Sequence, residues 1–187
     1  MAFLSLGNEL AEYLFGGTRL PIKTILAGLF SFPGNRFSQE VTDVAEVEGQ
    51  LAGMLASFPG WQFQRRELSI GVGLLRLCGL WDVLRLSRRA LSVAHGVETY
   101  RDEYYLANLA VFPPFQKRGI GSALLEHAEN KARQVGLRKC SLIVDLENPT
   151  ARRLYERWGY RAVMTKTYPG AAGEAHTGYH RMVKELL

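Results

Sequence analysis

Apolar residues recur at steps of four and three through Ile120, Leu124, Ala128, Ala132 and Val135, the spacing that lays a single stripe along an α-helix. The runs on either side, Glu103 to Val111 and Lys139 to Val144, are short and apolar and read as strands. Gly136 stands where a left-handed residue ends a helix. This unit is therefore strand, helix, strand, and its crossover makes the two strands parallel. A second helix opens at Asn148, whose side chain suits an N-cap, with Pro149 at the first helical position and Gly159 at the end. Two final strands, Tyr160 to Thr167 and Tyr179 to Glu185, flank the loop Tyr168 to Gly173.

The N-terminal half carries a weaker pattern. Glu9 to Phe15 reads as a helical turn or two, broken by Gly16-Gly17, and Ile22 to Phe30 has the periodicity of a second helix. Val41 to Val47 and Gln50 to Leu55 read as strands joined at Glu48-Gly49, a hairpin turn. Leu68 to Val93 is Leu-rich and punctuated by Arg76, Asp82, Arg85, Arg88 and Arg89, which suits one or two amphipathic helices divided at Gly79. There is no internal repeat and no low-complexity tract.

Composition narrows this picture. A chain of 187 residues with 47% hydrophobic content can bury one full core, so a single domain over 1–187 is expected, with an extra helical insertion around 64–95. Glu9 and Glu12 interrupt what a secretory signal would need, and the longest apolar runs are too short or too charged to span a bilayer. A soluble, cytoplasmic protein without a membrane partner is the expectation. Cys78 and Cys140 are isolated from each other in apolar patterns and read as buried free thiols, with no metal site. The net charge of +5 comes from scattered arginines and lysines, which argues for a solvated basic surface rather than a specific nucleic-acid partner.

The chemistry concentrates in two segments. Leu109-Ala110-Val111 runs through Phe112 to Phe115 into Gln116-Lys117-Arg118-Gly119-Ile120-Gly121-Ser122, where glycines let the backbone close on a ligand and a helix's first amides point at negative charge. The spacing fits neither a Walker motif nor a dinucleotide fingerprint, whose third glycine position holds Leu124. The second segment is Asn148-Pro149-Thr150-Ala151, continuing through Tyr155 to Gly159-Tyr160. Together they resemble the GNAT superfamily of acyl-CoA-dependent N-acetyltransferases, with its patterns Gln/Arg-x-x-Gly-x-Gly/Ala and Asn-x-x-Ala-x-x-x-Tyr-x-x-x-Gly-Phe/Tyr.

The resemblance implies a mixed α/β (α+β) GNAT fold: a mostly antiparallel sheet, a central splayed parallel strand pair, and helices on both faces. It implies acetyl-CoA as co-substrate and a primary amine of a small molecule or peptide as acceptor, attacked directly and without metal. The amides from Arg118 to Ser122 would bind the diphosphate, helped by Gln116, Lys117 and Arg118. Backbone groups of Leu109, Ala110 and Val111 would bond the pantetheine arm, with the Val111 N–H at the oxyanion, and Asn148 would meet the same arm while capping its helix. Tyr155 would protonate the departing thiolate.

A proton acceptor for the amine is harder to find. Strict alternation puts Glu103, Tyr105 and Ala107 on one face of their strand and Tyr104, Leu106 and Asn108 on the other. No acid sits at the strand's centre. Glu103 is the nearest candidate and Glu46 another, although both also read as surface carboxylates, and Tyr105 or Asn108 could hold a water relay. His176 or His180 could line the substrate mouth. The acceptor pocket is expected from Leu20 to Phe32, Leu68 to Val93 and Tyr168 to His176, and a homodimer is compatible with the sequence. A non-catalytic acyl-CoA sensor is the alternative reading.

Overall fold

The structure, a computed structural model, describes residues 18–93, 97–168 and 177–187. The helix expected at Glu9 to Phe15, the Gly16-Gly17 break, the late loop from Pro169 to Gly173, and His176 lie outside the described residues. Among the described residues six strands form one sheet: β1 (Thr42–Val47), β2 (Gln50–Pro59), β3 (Tyr104–Val111), β4 (Lys139–Asp145), β5 (Arg161–Tyr168) and β6 (Thr177–Glu185). Their order is β1-β2-β3-β4-β6-β5. Five helices accompany them among the described residues: α1 (Ile22–Ser31), α2 (Phe63–Cys78), α3 (Leu80–Val93), α4 (Ile120–Gln134) and α5 (Pro149–Arg157).

Local chemistry explains most of the junctions. Glu48 and Gly49 both take positive φ, 53° and 74°, so a two-residue turn matches the twist of β1 and β2. Gly79, at φ 81°, separates α2 from α3 as the expected divider. β2 runs to Pro59, beyond the expected end at Leu55, because Ala56, Ser57 and Phe58 keep pairing with β3. All three are buried, so covering on both faces erased the alternation that would have marked them.

All the strand pairs are antiparallel except β3 and β4. That parallel pair holds for three residues, Tyr104 with Cys140, Tyr105 with Ser141 and Leu106 with Leu142. Beyond it β3 stays with β2 and β4 stays with β6. The two central strands therefore splay toward their C-terminal ends.

On one face of the sheet α4 and α5 pack over the main core, which includes Leu55, Tyr104, Leu106, Leu124, Leu125, Ala128, Leu142, Tyr155, Tyr160 and Met182. Leu125 is fully buried there, and its truncation to Ala would cost about 2–5 kcal/mol. On the other face Phe58 and Tyr105 pack with Val41 and with Phe63 at the start of α2. Helices α1, α2 and α3 share a separate small core around Ile25, Leu29, Leu74 and Leu86. Both cysteines are free and buried, and burial pushes the Cys140 thiol up to about 12.

The alternation along β3 is not strict. The register with β2 slips between Ala56 and Ser57, which oppose Asn108 and Leu106, so Ala107 is an extra residue. Tyr104 and Leu106 belong to the main core before this bulge, and Leu109 and Val111 pack against it afterwards. Asn108 and Ala110 therefore join Tyr105 and Ala107 on the opposite face. This corrects the expected placement of Asn108 beside Tyr104 and Leu106.

Candidate active site

The splay leaves backbone groups of β3 aimed at the gap. The Phe112 N–H bonds to the Ala52 carbonyl at 2.9 Å, and Val111 opposes Gly53, so Val111 sits at a wide position of the ladder. Its N–H and C=O point away from β2, and those of Leu109, two residues earlier, do the same. Both residues face the space where β4 has departed. Gln116 closes part of that edge, donating from Nε2 to the Val111 carbonyl at 3.1 Å. The amides of Leu109 and Val111 remain the inward donors.

At the end of β3 the chain turns through a single 3-10 turn, Pro113–Phe115, into α4. Lys117 has φ 60° and Gly119 has φ 81°, a pair of left-handed residues that aim the turn. The first backbone bond of α4 runs from the Ala123 N–H to the Gly119 carbonyl, 3.0 Å, so the N–H groups of Ile120, Gly121 and Ser122 lie outside the helical ladder. Among the described residues no side chain caps this terminus, and its first turn holds no acid. A Cβ at Gly119 would meet nothing within 4 Å, so the backbone of the turn is open on that side. Arg118 stands beside it, stacked 5.9 Å from the Phe115 ring. This arrangement fits an anionic ligand.

The second helix meets the first at this point. A Cβ on Gly121 would fall 3.2 Å from a Leu154 methyl and 3.9 Å from one of Val111, so the start of α4, the end of β3 and the middle of α5 converge. Asn148 caps α5, its Oδ1 accepting the Ala151 N–H at 3.0 Å. Among the described residues its carboxamide NH2 has no hydrogen-bond partner. Tyr155 is 8% exposed, its ring edge-on to Tyr160 at 6.0 Å, and burial pushes its phenol up to about 12. Its Oη has no hydrogen-bond partner among the described residues and is not sealed from solvent. A buried ring thus presents an open, fully protonated hydroxyl.

The opposite face of the sheet holds the carboxylates. Glu103 is buried, not on the surface, and both its oxygens accept from one guanidinium nitrogen of Arg181. It also accepts the Tyr100 N–H at 2.8 Å and the Thr99 hydroxyl at 3.2 Å. Arg181 in turn stacks over Tyr100 at 4.8 Å. With its oxygens so engaged, Glu103 ties the segment before β3 to β6. Glu46 is exposed on edge strand β1.

A different carboxylate, that of Glu98, reaches β3 from the connecting segment before it. The Tyr105 hydroxyl donates to Glu98 Oε2, and Arg36 Nη2 reaches the same oxygen at 3.1 Å while Nη1 reaches Glu67 at 3.1 Å. The Arg36 guanidinium lies 5.5 Å from the Tyr105 ring centre and 5.7 Å from that of Phe63. Burial alone would lower the Arg36 pKa; Glu98, Tyr105 and Glu67 outweigh it and hold the charge firmly. Burial, then Glu98, drives the Tyr105 phenol well above its usual range. Glu98 keeps a quarter of its side chain exposed, 26%. The segment carrying it crosses the root of the splay: Thr99 accepts from Ser141 at 2.9 Å, and the Glu98 carbonyl accepts from Arg181, which opposes Ile143. Neither Glu98 nor Arg36 was singled out from sequence, because each belongs to a connecting segment without periodicity.

His180 faces the other way. Its Nε2 lies 2.9 Å from Arg152 and its Nδ1 2.8 Å from the Thr165 hydroxyl, so the ring belongs with α5 rather than with the Glu98 face. Burial first, then Arg152, lowers its pKa. Among the described residues no group of three His, Cys, Asp or Glu is placed to hold a metal, and no helix is long and apolar enough to cross a membrane.

Comparison with known proteins points to one family. The family model described as the acetyltransferase (GNAT) family matches residues 29–160. The ribosomal protein bS18-alanine N-acetyltransferase of Salmonella typhimurium is 39% identical over 74 residues, 38% of this chain and 50% of that protein. The aminoalkylphosphonate N-acetyltransferase of the same organism is 39% identical over 56 residues, 30% of this chain and 36% of its own length. The chain thus spans about half the length, or less, of these curated relatives. Among solved structures, an acetyltransferase at 27% identity superposes with a TM-score of 0.71, covering 100% of this chain and 92% of that one. An N-acetyltransferase from Staphylococcus aureus Mu50, at 21% identity and TM-score 0.64, covers 94% and 93% and shares the fold.

Proposed function

Because the chain belongs to the acetyltransferase (GNAT) family, whose model matches residues 29–160, we propose that it transfers an acetyl group from acetyl-CoA to a primary amine of a small molecule or peptide. The observation that carries this reading is the convergence of three features. They are the uncapped first turn of α4, the gap-facing amides of Leu109 and Val111, and the open Tyr155 hydroxyl. The described chain is taken as one domain with α2 and α3 inserted between β2 and β3.

In this reading the amides of Ile120, Gly121 and Ser122, with Gln116, Lys117 and Arg118 at the rim, hold the diphosphate. The β3 edge from Leu109 to Val111 replaces its lost ladder by bonding the amide-bearing arm, and the Asn148 carboxamide adds a donor. The amine nitrogen attacks the thioester carbonyl, whose developing oxyanion takes a bond from a gap-facing amide, that of Val111 or of Leu109. The C–S bond then breaks, and Tyr155 gives its proton to the sulfur. The proton lost by the nitrogen goes to Glu98, directly or through water. Glu98 takes this role in place of Glu103 because its carboxylate is partly exposed, whereas four donor contacts already engage Glu103. Holding a free amine against an activated thioester supplies much of the acceleration.

The test is to titrate acetyl-CoA into the protein and to follow free thiol release with a panel of amines, including peptides with free N-termini and aminoalkylphosphonates. Saturable binding with amine-dependent release is expected. Binding without release from any amine would leave a sensor, and no binding would refute the cofactor assignment.

A further inference from the structure

Helix α2 is apolar on two opposite sides. Its inner side, with Gly73, Leu74 and Cys78, is buried against α1, which accounts for the first. Its outer side carries Leu68, Val72 and Leu75, spaced by four and three, which are 75%, 49% and 46% exposed. Helix α3 repeats the arrangement. Asp82 and Leu86 are buried, while Leu80, Trp81 and Leu84 stand outward, Trp81 at 75% exposure. A globular protein needs one apolar stripe per helix, so the second stripe on each asks for a partner.

The charges around the stripes indicate which one. Arg65 and Arg76 lie one helical turn from Leu68 and Val72, and Arg85 and Arg88 one turn from Trp81 and Leu84; all four are exposed. The two helices hold two acids, Glu67 and Asp82. Glu67 is turned to Arg36 at 3.1 Å, and Asp82 is buried where it accepts the Arg19 N–H at 3.2 Å. The outward side of this hairpin is therefore leucine, valine, tryptophan and arginine. Two copies meeting through it would oppose arginine with arginine, which disfavours self-association. A pair of helices with outward leucines, an indole and flanking arginines matches an anionic lipid surface instead.

We propose that the α2–α3 hairpin docks this protein onto bilayers carrying anionic lipid, with Leu68, Val72, Leu75, Leu80, Trp81 and Leu84 entering the interface and the arginines meeting headgroups. This is surface attachment, not a span, so the lack of a spanning stretch in the sequence does not bear on it. It also stands independently of acetyl transfer.

The experiment is co-sedimentation of the full chain with sucrose-loaded vesicles, either phosphatidylcholine alone or an equimolar mixture with phosphatidylglycerol. Binding to the mixed vesicles that weakens with salt is expected, with little binding to the neutral ones. The double variant L68E/W81E should lose it while keeping its melting temperature, since both positions are exposed. R65S/R88S should bind about 30-fold more weakly, from roughly five-fold per arginine near an anionic surface. Equal binding to both vesicle types, none to either, or no effect of L68E/W81E would overturn the proposal. So would a dimer in analytical ultracentrifugation that L68E/W81E dissolves, because the face would then belong to a second copy.

Discussion

Replacing Tyr155 with Phe separates the chemical role of its hydroxyl from the structural role of its ring. The ring is 8% exposed and packs edge-on to Tyr160 at 6.0 Å, contacts that Phe retains. The hydroxyl has no protein partner among the described residues, so its loss breaks no internal hydrogen bond. Stability should change by no more than about 0.5 kcal/mol, roughly 1–2 °C in melting temperature for a chain of this size. Acetyl-CoA affinity, measured calorimetrically, should also stay near the wild-type value, because the backbone cradle is untouched.

Turnover should respond very differently. Loss of a general acid typically costs about 100-fold or more, which corresponds to about 2.7 kcal/mol of activation free energy. A thiol leaving group has a pKa near 8.5, so a donor matters most below about that pH and least once thiolate leaves unaided. The phenol itself, pushed up to about 12 by burial, stays protonated throughout. The wild-type to variant ratio of kcat, followed by thiol release with an amine that the wild type acetylates, should therefore be largest near neutrality and shrink above pH 9. An unchanged kcat at pH 7, or a deficit that grows with pH, would remove Tyr155 from the proton transfer.

Three further substitutions test the surrounding structure. Glu103→Gln weakens an ion pair whose two side chains are 5% and 6% exposed; a loss of about 3 kcal/mol is expected, seen as a melting temperature lower by roughly 10 °C, whereas a lost acid limb in the rate profile without destabilisation would make Glu103 the base after all. Gly119→Ala forces a side chain onto φ 81°, which should cost about 1–2 kcal/mol and weaken acetyl-CoA binding; an unaltered melting temperature and affinity would contradict the left-handed turn. His180→Gln probes pH dependence. Burial and Arg152 lower the folded-state pKa of His180, so its contribution is complete above the unfolded value of about 6.5 and is lost as pH falls through the lower folded value. The wild type should lose stability between pH 7 and 5 more steeply than the variant, and parallel melting curves across that window would refute it.

How much of this was readable in the chain depended on how local its causes are. The stripe of α4, the Asn148 cap, the Gly79 divider and the Glu48-Gly49 turn are each set by a few consecutive residues, and each appears where it was expected. The uncapped first turn of α4 was legible for the same reason, since its exposed N–H groups are successive amides of one turn. The Glu98 cluster had no such signature. It joins Arg36 to partners 31, 62 and 69 residues away, and no periodicity of one segment encodes contacts of that reach.

The bulge at Ala107 is the instructive intermediate case. Neither glycine nor proline marks it, and Tyr104 to Val111 reads as an unbroken strand. Yet one extra residue reverses the parity of everything after it. Without the bulge, Asn108 and Ala110 would follow Tyr104 and Leu106 into the main core, and Leu109 and Val111 would be turned out of it. With it, the core receives Leu109 and Val111, while buried Asn108 moves to the face that carries Tyr105 and Glu98. The bulge lies next to the last residue of β3 that still pairs with β4, Leu106. A single insertion thus coincides with the opening of the strand pair and gathers polar side chains beside it. The amides at the start of α4 follow from consecutive residues, but which β3 side chains stand on the face opposite the main core is set by a register slip that becomes visible only when both strands are seen together.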